Sequence, residues 1–269
     1  MENLDGLLDF SSDFVEWKNY RTIINDKVAI ISANVKITEQ FEQRVQNKVA
    51  QCTFYFDADE NGLPLEQNQA LIFSHILKLL VQCSALPDVL YAGHILSNGK
   101  VEQYFYLQNE NEFLETALQL LDKKDIQIQD DPNWDLFTEF LMPSQLEMRF
   151  SLTEELLDSI AMNGMDLSQI YNIEHRFHFD DREELEQFIE KFSLSKTNFI
   201  TIRYSDRKIQ LDDMDYAQYL VKIEQEMTLD SQEIFSMVEL FDKLLNDYPS
   251  GEYLGWESAN FADDKIYLN

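Results

Sequence analysis

The densest set of potential metal ligands in the chain is Glu174, His175, His178 and Asp180. A zinc ion needs three or four such groups converging on one point. On a β-strand successive side chains point to opposite faces, so His175 and His178, three residues apart, face away from each other and cannot share an ion without a bulge. Alternation groups His175 with Ile173 and Phe177, the pattern of a buried histidine hydrogen-bonded to a neighbour; contact with a partner is the second reading. Asp57, Asp59, Asn61 and Gly62 copy the first half of a calcium-binding loop, but the twelfth position is Asn68 where a bidentate Glu is required, and Pro64 interrupts the loop. A strand-to-helix turn is the simpler reading.

Nucleophilic chemistry has equally little support. There is no G-x-S-x-G, Cys52 and Cys83 have no neighbouring base in sequence, and 7 glycines in total form no phosphate-binding loop. The acidic run from Asp180 to Glu184 suits a helix N-terminus, where negative charge meets the positive end of the helix dipole. The expectation is therefore a protein without a catalytic centre, metal or cofactor. Near the C-terminus, alternation over Tyr253, Leu254, Gly255 and Trp256 puts Trp256 in a core and Tyr253 on the opposite sheet surface. That surface is then free to pack against another domain or to bind something.

These residues need elements to hold them. Val89–Leu96 and Val101–Leu107 flank Asn98-Gly99, a pair suited to the two positive-φ positions of a type I′ turn, and so predict a hairpin. Cys52–Phe56 reads as a strand, Leu65–Cys83 and Glu110–Leu121 as helices, and Trp134–Leu141 as a strand. Two further strands, Trp17–Ile23 and Lys27–Val35, precede them. Pro143-Ser144 marks a boundary, because Pro disfavours helix before it and Ser caps a helix after it. The pattern then restarts: a helix over Leu146–Met162, a strand over Ile170–Phe179, a helix over Arg182–Phe192, strands over Thr197–Tyr204 and Tyr216–Glu226 joined by an Asp-rich stretch, a helix over Asp230–Asp247 and a strand over Glu252–Phe261. Each half reads β-α-β-β-α-β, so the predicted fold is α+β: two ferredoxin-like sandwich domains with antiparallel sheets, 1–143 and 144–269, with extra N-terminal strands on the first.

With 45% hydrophobic residues among 269, the chain can build real cores. Its 50 acids against 21 bases give a formal net charge of -29, which repels phosphate backbones and anionic lipid and argues against direct nucleic-acid or membrane binding. The charge is spread: 23 acids and 10 bases precede residue 144, and 27 and 11 follow from there. It reads as a solvated surface, with attraction to a basic protein as the sharper alternative. Two cysteines, no secretory pattern in Met1–Asp13 and no apolar run near ~20 residues fit a reducing cytoplasm.

Three segments of the second half, taken together, resemble a known family. Tyr171–Asp181 with the acidic helix after it, Asp230–Asp247, and the closing strand Glu252–Glu257 with its Tyr-x-Gly-Trp core are similar to the regulator of ribonuclease activity B family. The first half is similar to a bacterial domain family of unknown function, through Gly62–Pro64, Tyr91–Gly93 and the aromatic strand Tyr104–Tyr106. The resemblance implies an acidic ferredoxin-like protein that binds ribonuclease E and damps its activity. It also marks Glu174, His175, Tyr253, Gly255, Trp256 and Glu257 as partner-binding residues. This chain ends at Tyr267–Asn269 without that family's long acidic tail and carries an additional domain of about 140 residues. The functional expectation is a non-catalytic interaction protein acting on a ribonuclease or another basic or disordered partner. The alternatives are a small-ligand binder or enzyme with a cleft between domains, and a structural or dimerising protein that uses sheet surfaces or edges; oligomeric state is left open.

Overall fold

The structure is a computed structural model that describes residues 16–193, 199–210 and 216–258. Met1–Asp13, Thr197 and Asn198, the end of the Asp-rich stretch at 211–215 and the expected strand end at 259–261 lie outside the described residues. Contacts divide the chain into two units, Met1–Met148 and Arg149–Asn269.

The first unit holds strands β1 (Trp17–Ile24), β2 (Lys27–Asn34), β3 (Lys48–Tyr55), β4 (Leu90–Ser97), β5 (Lys100–Leu107) and β6 (Ile126–Asp130), with helices α1 (Glu66–Ser84) and α2 (Glu110–Ala117). They form one antiparallel sheet in the order β1-β2-β4-β5-β3-β6. The β4–β5 turn is the expected one, with Asn98 at φ 50° and Gly99 at φ 73°. Alternation along β3 and β5 feeds two cores. Ala50, Cys52, Phe105 and Leu107 pack with α1 and α2, while Val49, Tyr104 and Tyr106 face Trp134, Phe137 and Leu141 on the other side. Both faces of this sheet are thus covered.

The strand expected over Trp134–Leu141 is not formed; the last strand is β6, eight residues earlier. The cause is a local hydrogen-bond hub. The buried Asp131 carboxylate accepts from the hydroxyl of Tyr106 at 2.6 Å and from the backbone N–H groups of Asp135 and Leu136. Trp134 turns back with φ 61°, stacks on Tyr106 at 4.5 Å and donates Nε1–H to the carbonyl of Gln46. Phe137–Leu141 then closes as a single π-helical turn. Aromatic residues spaced like a strand are here knobs on a tight turn.

Helix α3 (Gln145–Met162) crosses the division and runs into the second unit. Its start is a reciprocal capping box: Ser144 Oγ accepts from the Glu147 N–H, and the Glu147 carboxylate accepts from the Ser144 N–H. Then follow β7 (Ile170–Phe179), α4 (Arg182–Ser193), β8 (Phe199–Tyr204), β9 (Tyr219–Thr228), α5 (Ser231–Leu245) and β10 (Gly251–Ser258). Asp181 caps α4 through the N–H groups of Glu183 and Glu184, and Asp230 caps α5 through that of Gln232. The antiparallel sheet runs β10-β7-β9-β8. Its strand order matches that of β3 to β6 in the first unit: the last strand lies beside the first, and the third sits between the first and second. Both units are α+β with antiparallel sheets, as the sequence patterns imply.

Phe177 and Phe179 of β7 pack on Phe188 of α4, and Phe177 also on Phe241 of α5, with Ile173, Leu185 and Val238 buried as well. The third helix, α3, reaches the same face, where Thr153 accepts from Trp256 Nε1 at 3.3 Å. With three helices on one side, the charged residues of β7, β8, β9 and β10 occupy the other.

Candidate functional site

The segment Tyr253–Trp256 departs from simple alternation. Tyr253 pairs with Phe177, but Gly255 pairs with Arg176 and Trp256 with His175, so Leu254 is the extra residue of a β-bulge. Gly255 supports it at φ 112°, a conformation that L side chains rarely adopt. The bulge resets the phase, and Tyr253 and Trp256 both turn towards the helices, 3% and 7% exposed. The expectation that Tyr253 covers the opposite surface is therefore overturned. Two-residue periodicity cannot foresee an inserted residue; the glycine inside an aromatic strand was the available signal.

The same device occurs in the first unit. Tyr91 pairs with Phe105 and Gly93 with Tyr104, leaving Ala92 as the extra residue, with Gly93 at φ 151°. Tyr91 and His94 consequently share a face, and the Tyr91 hydroxyl lies 3.0 Å from His94 Nδ1. A Tyr-x-Gly bulge followed by an aromatic ring thus shapes one strand in each sheet.

In the second unit His175 is fully buried, with Nδ1 2.9 Å from the Tyr253 hydroxyl and Phe241 4.7 Å away, ring to ring. Burial pushes its pKa down to about 3, so the ring is neutral at physiological pH. Its Nε2 has no hydrogen-bond partner among the described residues. Arg149 lies 5.8 Å over the Tyr253 ring and pairs with Asp242 of α5, tying α3 to α5 beside this cluster. His175, Tyr253 and Trp256 hold an interior together; none of the three presents a surface.

Glu174, Gly255 and Glu257 lie on the open side. Glu174 Oε1 accepts from Arg176 at 2.8 Å and from Lys222 at 2.7 Å. Burial opposes ionisation of Glu174, but Lys222 and Arg176 together outweigh it and hold the carboxyl below the usual carboxylate range. Arg176 also reaches Glu257, and Arg203 reaches Glu224. Pairing register lines these charges up. Arg176, Lys222 and Arg203 are direct cross-strand neighbours, as are Glu257, Glu174 and Glu224 one step along the strands. Arg176, Lys222, Arg203 and Glu224 were not anticipated: Glu174-x-Arg176 and Lys222-x-Glu224 signal one polar face, but only the register places them in rows.

His178 points to this open side too, its Nε2 2.9 Å from Glu252, so the two histidines of β7 face opposite ways. Among the described residues no three His, Cys, Asp or Glu side chains are placed to hold one metal ion. Asp59 instead accepts the backbone N–H groups of Asn61 and Leu63 in the turn between β3 and α1. Cys52 and Cys83 are buried free thiols with pKa values pushed up by burial, Cys83 to about 12, the opposite of activation.

Comparison with known families assigns both units. Residues 15–142 match the Family of unknown function (DUF695), and residues 150–258 match Regulator of ribonuclease activity B. The chain joins these two domain families in tandem. The Tyr253–Trp256 bulge and the charge rows therefore both lie in the regulator-family domain, and the Tyr91–His94 bulge lies in the DUF695 domain. No curated protein matches the sequence. Among solved structures, one titled an unknown protein from Galdieria sulphuraria aligns over 80% of this chain and 98% of its own at 9% identity, with a TM-score of 0.23. At that score the likeness says nothing about fold. No described helix is long and apolar enough to cross a membrane.

Proposed function

We propose that this chain is an acidic, non-catalytic regulatory protein that modulates a ribonuclease, with ribonuclease E as its target, through contacts made by its second domain. The observation that carries the reading is the match of residues 150–258 to Regulator of ribonuclease activity B. Charge supports it. A net charge of -29 makes RNA a repelled ligand and a basic or disordered protein segment an attracted one, with encounter rates raised ~10-fold or more by complementary charge. The charged Glu174 on the open face fits a recognition role, and the buried, neutral His175 fits a structural one.

A pull-down with the full chain from a bacterial lysate, read by mass spectrometry, tests the partner. Recovery of ribonuclease E, lost at high salt, is the expected result; repeated recovery of no ribonuclease component removes the proposal.

A further inference from the structure

Six charges on the open face of the second sheet lie in two parallel rows of opposite sign, with Glu226 and Glu252 outside them. One row is Arg176 on β7, Lys222 on β9 and Arg203 on β8, each directly opposite the next. The other is Glu257 on β10, Glu174 on β7 and Glu224 on β9, again directly opposite one another. The rows cross the strands and lie two residues apart, roughly 7 Å. Like charges directly opposite across strands are unfavourable. Interleaving the signs along each row would have avoided that cost; diagonal ion pairs only offset it. Side chains of the cationic row are 40–64% exposed and no described element of this unit covers them, while Glu174 and Glu224 lie beneath these cations at 19% and 15%. Ile170 and Leu254 add exposed apolar area on the same side.

Such a pattern is self-complementary. A half-turn about an axis lying in the face, midway between the rows and parallel to them, carries each row onto the position facing the other. Two copies related by this axis bring Arg176 opposite Glu174, and Lys222 opposite Glu224, each twice. A half-turn about an axis along the strands would set like on like. We infer that the charge-striped face of the β10-β7-β9-β8 sheet is an isologous docking surface for a second copy of this chain. This inference stands apart from the ribonuclease reading and survives its failure.

Two electrostatic effects then oppose each other. The net charge of -29 on each copy repels over long range, with a Debye length near ~30 Å in 0.01 M salt that falls to ~8 Å at 0.15 M. Contact pairs persist until screening reaches ~3 Å near 1 M. Self-association is therefore strongest at intermediate salt.

Sedimentation equilibrium of the full chain across this salt range tests the assignment. The natural chain forms dimers most at about 0.15 M. Lys222→Glu alone and Glu224→Lys alone each weaken association at least tenfold, and an equimolar mixture of the two variants restores it, because each change supplies the other's missing partner. Arg176→Glu with Glu174→Arg forms an independent second pair with the same expected rescue. A natural chain that stays monomeric at all three salt concentrations overturns the inference, as do single variants that dimerise normally or mixtures of both pairs that remain monomeric.

Discussion

The hydroxyl of Tyr253 and Nδ1 of His175 lie 2.9 Å apart inside the regulator-family domain, a contact that exists only because the bulge at Gly255 turns Tyr253 inward. It joins the strand that closes the sheet to the strand at its centre. Tyr253→Phe keeps the ring packing and removes the partner of a fully buried nitrogen, which costs about 1–3 kcal/mol. Urea unfolding of the variant should show a lower midpoint with an unchanged slope.

Gly255→Ala tests the bulge itself. Open space surrounds the position of a Cβ there, so the cost comes from backbone strain at φ 112°, about 1–3 kcal/mol. In the first domain Gly93→Ala should cost more, since its Cβ would lie 2.4 Å from the Ser32 carbonyl oxygen in addition to the strained φ. Thermal unfolding of both variants, compared with the sterically open Gly164→Ala, checks the order.

Acid should destabilise the second domain through His175. Its folded pKa of about 3 lies below the 6.5 of a free histidine side chain, so the folded state disfavours the proton. The stabilisation is complete above the unfolded value and is lost as pH falls from there towards the folded one, at about 1.4 kcal/mol per pH unit. The lowered carboxyl of Glu174 acts in the same direction at lower pH. Measured between pH 6 and 4, the slope of unfolding free energy against pH should be smaller in His175→Gln by roughly one proton's worth.

Asp131 is the prediction for the first domain. Its carboxylate serves the buried Tyr106 hydroxyl and the backbone N–H groups of Asp135 and Leu136, so Asp131→Ala removes the acceptor of all three and should cost about 3 kcal/mol. Asp131→Asn keeps an acceptor and should cost less. Denaturant unfolding of the two variants distinguishes them.

How much of this could be read in the sequence depends on how local each cause is. The Asn98-Gly99 hairpin, the bounds of β7 and the Asp230 cap of α5 were legible because turn chemistry, alternation and capping act over a few residues. Trp134–Leu141 misled because the Asp131 cap that turns the chain is held in place by Tyr106, and Trp134 by Gln46, both distant in the chain. Tyr253 misled because one inserted residue reverses every face after it. The charge rows were invisible for a third reason: Arg176 meets Lys222 and Arg203 only once three strands are in register.

The central claim concerns ribonuclease regulation, and the most direct measurement is the rate at which purified ribonuclease E cleaves a defined RNA with and without this protein. A dose-dependent fall in rate that high salt abolishes, with no RNA cleavage by the chain alone, is the predicted result. An unchanged cleavage rate at protein concentrations well above that of the enzyme would contradict it.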